Sequence, residues 1–174
     1  MREIFLHLVR LGIGHCSYYT SFQDVDWESL RALAAKQGLS AIVLDGLDVE
    51  IAAHVRNEGI DMPQRLRLEW IGEVMQNCEA RYADYEKAIK DLAGFYSSLH
   101  IKMMVLKGYG LSLNYPKPNH RPCGDIDIWN FGKQKEADDW MTKECGIKVD
   151  TSEHHHTVFW WKDYMVENHY DFLS

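Results

Sequence analysis

Residues 125–130 read DIDIWN, and residues 101–106 ahead of them read IKMMVL. The earlier stretch is a short apolar run suited to a buried strand. The later one alternates polar and apolar residues, as a half-buried strand should. Side chains two apart on a strand project to the same side, so Asp125 and Asp127 point together while Ile126 and Ile128 anchor the other face in a core. Two carboxylates held that close repel each other when both are ionised. A divalent cation relieves the repulsion, and Mg²⁺ favours a few carboxylates combined with substrate phosphates. A lone D-x-D occurs by chance on surface strands, so its neighbours decide whether it marks a site.

Those neighbours are suggestive. Lys107-Gly108-Tyr109-Gly110 follows the apolar run and opens a short helix that ends before Pro116. Gly108 lets backbone N–H groups approach a phosphate there. Lys107 and Arg121 add cationic donors on either side, and an arginine grips phosphate with two parallel bonds. Downstream, residues 133–144 read as a surface helix stopped by Gly146, followed by strands over 147–150, 157–161 and 164–170. A two-residue turn at Lys162-Asp163 pairs Val158 with Glu167, His156 with His169 and His154 with Asp171 on one face. That face is unusually polar, and Glu167 from it completes a three-acid site around two metal ions.

The remaining polar and aromatic residues of this half have plainer readings. His154-His155-His156 alternate faces along a strand, so at most His154 and His156 converge. A hydrogen-bonding or phosphate-facing role for His156 and His169 is favoured over a dedicated zinc site. Trp160 and Trp161 are expected to pack on the sheet and the helical half, in preference to stacking on a base. Cys123 has no positioned general base in view and reads as a bystander. Asp24, Asp26, Asp138 and Asp139 read as solvated or capping acids.

The first hundred residues are helical. Met1–Gly14 carries charge and histidine inside its apolar run and reads as an amphipathic helix, not a signal peptide. Asp26 caps a helix over 27–37, with Gly38 as its left-handed stop. A weaker helix covers Ser40 to Asn57, interrupted by Gly46. Asp61-Met62-Pro63 opens the strongest helix, with an apolar stripe through Ile71, Met75, Cys78, Tyr82, Tyr85, Ile89, Leu92, Tyr96 and Leu99. Gly72 and Gly94 are expected to bend that helix or admit another backbone. The expected architecture is α+β: a helical N-terminal half (1–100), then a small mixed β-sheet core with flanking helices (101–174).

Composition narrows the function classes. The chain has 174 residues, 46% hydrophobic and 12% aromatic, enough for a real core. Its net charge of −7 disfavours long nucleic acid and anionic membrane as partners. No apolar run approaches the roughly 20 residues that span a bilayer. The cysteines Cys16, Cys78, Cys123 and Cys145 include no C-x-x-C pair, which fits scattered thiols in a reducing cytoplasm.

The stretch LKGYGLSLNYPKPNHRPCGDIDIWN resembles the uncharacterised nucleotidyltransferase family, whose members carry L-K-G, then a tyrosine, then R-x-x-x-D-I-D and a hydrophobic residue. The matching residues are Leu106-Lys107-Gly108, Tyr115, and Arg121 with Asp125-Ile126-Asp127-Ile128. The family's later V-E-x-H strand is similar to Val166-Glu167-Asn168-His169, and its His-rich strand to His154-His155-His156. The resemblance implies a polymerase-β-like fold and Mg²⁺-dependent transfer of a nucleoside monophosphate from an NTP, ATP first among them, onto a hydroxyl. Two ions are implied, with Mn²⁺ as a substitute. By the same resemblance Asp125 and Asp127 hold metal, and Glu167 is the third carboxylate. Lys107, Gly108 and Arg121 face the triphosphate. The acceptor is left open, as is a protein partner completing the pocket. Many active members of the wider fold place Gly-Ser before the D-x-D, where this chain has Lys107-Gly108-Tyr109-Gly110. That departure keeps open a non-catalytic nucleotide-binding or antitoxin-like module. The resemblance also implies more chain after the last strand than Ser174 allows, as in a fragment or a minimal member.

Overall fold

The structure, a computed structural model, describes residues 1–15, 21–53 and 60–171. Cys16, the end of the helix expected to reach Asn57, and Ser174 lie outside the described residues. The contacts divide the chain into two compact units: Met1–Tyr82 with Ser112–Pro122, and Ala83–Leu111 with Cys123–Ser174.

In the first unit, α1 (Arg2–Gly12), α2 (Trp27–Lys36), α3 (Ser40–Ala53) and α4 (Gln64–Val74) surround a core that includes Leu8, Trp27, Leu30, Leu47 and Trp70. Asp26 caps α2 by accepting from the Ser29 backbone N–H at 3.0 Å, and Gly38 takes the left-handed conformation at its end. The indole N–H groups of the buried tryptophans are satisfied: Trp27 donates to Asp61 O at 2.8 Å and Trp70 to Ser40 O at 3.1 Å. Gly46, which weakens the helical pattern of α3, is there for proximity. A Cβ on it would lie 1.9 Å from Leu8 O, and one on Gly12 would lie 2.0 Å from Ile42 O. Only glycine lets the α1 and α3 backbones approach that closely.

The long helix expected after Pro63 is not one uniform element. A π-helical turn, Met75–Glu79, separates α4 from α5 (Ala80–Ser98). Its wider hydrogen-bonded ring inserts an extra residue and shifts the phase of the side chains. Leu66, Trp70 and Val74 therefore pack in the first core, while Tyr85, Ala88, Ile89, Leu92 and Tyr96 pack in the second. Met75, placed on the stripe by its spacing, is 55% exposed. Among the described residues Gly72 and Gly94 admit no other backbone, since a Cβ on either would meet nothing within 4 Å.

The second unit holds a small mixed sheet, which makes the fold α+β as the sequence predicts. Its strands are β1 (Met104–Val105), β2 (Ile126–Trp129), β3 (His156–Trp161) and β4 (Tyr164–His169), in the order β1-β2-β4-β3. β1 runs antiparallel to β2, β2 parallel to β4, and β3 and β4 form the expected hairpin through Lys162-Asp163. Ile126, Ile128, Phe159 and Val166 form a core with Leu92 and Tyr96 of α5 and with Met141 of α7 (Gln134–Cys145).

Three expected strand features are shorter than their patterns suggest, each because the backbone is used elsewhere. Residues 101–106 give only a two-residue strand. Ile101 N closes the end of α5 on Tyr96 O, and Lys102 O accepts from Asn130 Nδ2. Residues 147–150 form no strand. Ile147 N closes α7 on Met141 O, and only Asp150 bridges to Val158. His154 does not pair with Asp171, because Tyr170 N and Asp171 N both donate to His155 O and end the ladder at His156–His169.

Asp138 also departs from its expected place as a solvated acid. It is 7% exposed and turned toward the sheet, accepting from Asn168 Nδ2 at 3.0 Å, Thr157 Oγ1 at 2.9 Å and Gln134 Nε2. Burial pushes its carboxyl above the ordinary range, and the three donors only partly oppose the rise. Trp161 packs as expected, donating to Ala88 O at 3.1 Å, whereas Trp160 is 60% exposed.

Candidate active site

Parallel pairing of β2 with β4 sets Asp127 directly beside Glu167 and Trp129 beside His169. Residues alternate across a strand, so Glu167 and His169 share one face of β4, and Val166 and Asn168 share the other. Antiparallel pairing brings His156 opposite His169 and Val158 opposite Glu167. One sheet face therefore collects Asp127, Glu167, His169 and His156, and Asp125 stands just ahead of β2. Ligand atoms of Asp125, Asp127 and Glu167 all lie within 4.8 Å of one another, and so do those of His156, Glu167 and His169.

Asp127 is the most enclosed of these groups, at 3% exposure. Its Oδ1 accepts from Lys107 Nζ at 2.7 Å and from His169 Nε2 at 2.8 Å. Burial alone would push this carboxyl up. The lysine and histidine hydrogen bonds outweigh burial and hold it below the ordinary carboxylate value. The same hydrogen bond raises Lys107. Lys107 adopts a φ of 35°, in the left-handed region that costs a side-chain-bearing residue about 1 kcal/mol or more. That strained residue starts α6 (Lys107–Ser112) with its ammonium over Asp127.

Gly108 sits in the same turn. A Cβ there would lie 3.1 Å from Tyr85 Oη and 3.6 Å from Asp125 O. Tyr85 is a residue that sequence reasoning left in a packing stripe. It is buried in α5, and its hydroxyl donates to Asp125 O at 2.6 Å, fixing the backbone that carries the first acid. Its only advance signal was a polar tip inside an otherwise apolar row. On the far side of β4, Asp138 grips Asn168, the residue between Glu167 and His169. No sequence signal pointed to that anchor.

Arg121 belongs to the first unit, where its guanidinium carbon lies 5.9 Å above the Tyr115 ring and Nη1 donates to Pro122 O at 3.1 Å. Its neighbour His120 is buried, with Nδ1 at 2.7 Å from Asp45 Oδ2 and Nε2 at 2.9 Å from Glu79 Oε1. Lys117 Nζ adds a contact to Asp45 Oδ1 at 2.5 Å. Both ring nitrogens face carboxylates, which suits an imidazolium with two donors. Burial opposes that charge, but the bonds to Asp45 and Glu79 prevail and raise His120 above its ordinary value. This clamp holds the segment that precedes β2, and sequence reasoning missed it too. Cys78 and Cys123 are half-buried, and Cys145 is exposed.

Taken by its chemistry, the Asp125–Asp127–Glu167 group is an all-oxygen donor set whose spacing suits a small, hard divalent cation. The chain belongs to the family described as uncharacterised nucleotidyltransferase, whose sequence profile matches residues 23–174. No curated protein and no solved structure matches it. No helix among the described residues is long and apolar enough to cross a membrane.

Proposed function

We propose that this chain transfers a nucleoside monophosphate from an NTP, with ATP the first candidate, to a hydroxyl on a protein, a small molecule or an RNA end. The observation that carries the reading is the convergence of Asp125, just ahead of β2, with Asp127 and Glu167 on the parallel neighbours β2 and β4, their ligand atoms within 4.8 Å of one another. These three acids would hold Mg²⁺, two ions being the expected number and Mn²⁺ a substitute. The metal would supply neutralisation of phosphate charge and polarisation of the attacked phosphorus. In the transfer, the acceptor oxygen bonds to the α-phosphorus, the bond to the β-phosphate oxygen breaks, and pyrophosphate leaves. The acceptor's proton goes to a carboxylate, and Glu167 is the candidate base because Asp127 is already held ionised by two donors.

Lys107 has a double part in this reading. Without nucleotide its ammonium neutralises Asp127. With Mg²⁺–NTP bound it turns to the triphosphate, which its 61% exposed side chain can do with little obstruction. Gly108 would bring backbone N–H groups to the phosphate, and His156 and His169 are the other phosphate-facing groups of this unit. Chemistry of this kind depends chiefly on positioning and charge. The dispersed cysteines, with no C-x-x-C pair, fit a cytoplasmic setting. The Lys107–Asp127 contact is also the observation that favours a second reading, a non-catalytic nucleotide-binding or antitoxin-like module in which the lysine holds the acid permanently.

Thermal shift with ATP plus Mg²⁺ tests the shared element. The parent chain is stabilised, and Asp125→Asn/Asp127→Asn abolishes the effect. A parent with no response at millimolar ATP would overturn both readings. Label transfer from α-³²P-NTP separates them: labelled product supports the enzyme, while binding without transfer supports the module.

A further inference from the structure

The second group on the same face has different chemistry. His156, Glu167 and His169 each offer one ligand atom, and the three atoms lie within 4.8 Å of one another. Two of the three are imidazole nitrogens. Mg²⁺ prefers oxygen, whereas imidazole suits Zn²⁺ and the neighbouring first-row metals. We propose that His156, Glu167 and His169 form a site for a nitrogen-preferring divalent metal of the Zn²⁺ class, sharing Glu167 with the three-acid group.

The separations fit this chemistry. Ligands bound at about 2.0–2.1 Å around a tetrahedral ion lie roughly 3.4 Å apart. His169 Nε2 lies 3.3 Å from Glu167 Oε2, and His156 Nε2 lies 3.9 Å from the other oxygen, Oε1; a metal at His169 Nε2 displaces the proton this nitrogen gives Asp127 Oδ1. The 3.9 Å distance is beyond a hydrogen bond, yet the ligand atoms of all three residues stay within 4.8 Å of one another. The two rings stand 5.2 Å apart at 51°, neither stacked nor turned away. The backbone is equally prepared. His156 and His169 are paired across β3 and β4, and Glu167 is two residues along the same strand face, so all three start from rigid sheet positions. Burial is graded for ligand access: the side chains of His169, Glu167 and His156 are 10%, 18% and 21% exposed. Two histidines and one carboxylate leave coordination positions open, as sites that accept an external oxygen ligand do. A phosphate oxygen is the ligand such a position would take if the nucleotide reading holds; the metal site itself does not depend on that reading.

Co²⁺ is the probe, because nitrogen ligation moves and intensifies its visible ligand-field absorption relative to the aqua ion. The full chain is expected to develop that band stoichiometrically and to lose it with excess Zn²⁺. His156→Gln and His169→Gln each weaken Co²⁺ binding at least tenfold, with circular dichroism and melting of the metal-free proteins reporting retained folding. Asp125→Asn keeps the band. A parent chain with no band beyond the aqua ion, or a folded His156→Gln that retains full affinity, overturns the proposal. Mg²⁺–ATP thermal shift on the same samples separates the two sites. A nucleotide response without a Co²⁺ band sinks the metal proposal alone. A Co²⁺ band without a nucleotide response supports it and sinks the nucleotide reading.

Discussion

Replacing Asp127 in two ways separates what the acid does for the fold from what it does for ligand. In Asp127→Ala, Lys107 loses its partner, but its 61% exposed ammonium turns to water at little cost. His169 is only 10% exposed, and its Nε2 loses a 2.8 Å acceptor while keeping Glu167 Oε2 at 3.3 Å. A buried donor left poorly satisfied costs about 1–3 kcal/mol, and a small cavity adds to it, so about 2–3 kcal/mol is expected for alanine. Asp127→Asn keeps an oxygen for His169 and removes the expense of burying a charge, which offsets the lost ion pair to within about 1 kcal/mol. Both variants lose the three-acid site. Ligand at one hundred times its Kd stabilises by about 2.7 kcal/mol, or roughly 5–10 °C for a chain of this size. Urea denaturation without ligand gives the first quantity, and melting with and without Mg²⁺–ATP gives the second. Because the folded Asp127 carboxyl lies below its unfolded value of about 3.9, its contribution is present above that pH and is lost as pH falls through the folded value. Asp127→Asn should therefore flatten that acid limb. An Asp127→Asn protein that keeps the parental Mg²⁺–ATP shift, or that loses more than about 3 kcal/mol unliganded, refutes the reasoning.

The clamp around His120 makes stability fall at the other end of the scale. Below about pH 6.5 folded and unfolded forms both hold the proton; above it only the folded form does, so stability declines until the raised folded value is passed. In His120→Asn that slope between neutral and alkaline pH should vanish in urea titrations. Asp138→Ala strands Asn168 Nδ2 and Thr157 Oγ1 and should cost about 2–4 kcal/mol. Asp138→Asn, which resembles the protonated acid favoured by burial, should cost about 1 kcal/mol. Gly46→Ala gains about 1 kcal/mol of helix propensity, but its Cβ meets Leu8 O at 1.9 Å, so a net loss of about 2 kcal/mol or more is expected by calorimetry.

The geometry of the candidate site was legible in the sequence to the extent that it rests on local periodicity. A period of two set Asp125 and Asp127 on one side, and the length of the Lys162-Asp163 turn fixed the pairing of Glu167 with Val158 and of His169 with His156. The helical half was legible from caps and spacing in the same way. What stayed hidden depends on partners distant in the chain. Tyr85 acts on Asp125 across 40 positions, Asp138 on Asn168 across 30, and His120 on Asp45 across 75. The phase shift at Met75–Glu79 was hidden for another reason. Apolar residues every three or four positions look alike whether one core or two receive them.

The two units are braided along the chain, since Ser112–Pro122 belongs to the first while the residues on either side belong to the second. No single scission can divide such a molecule into its natural halves. A piece beginning at Ala83 would carry Lys117 and His120 away from Asp45 and Glu79, leaving two cations stripped of their counter-charges. The complementary piece would keep both acids unneutralised, Asp45 among them buried. Limited proteolysis should accordingly yield fragments that stay associated after nicking, and recombination in evolution would have to exchange this module whole.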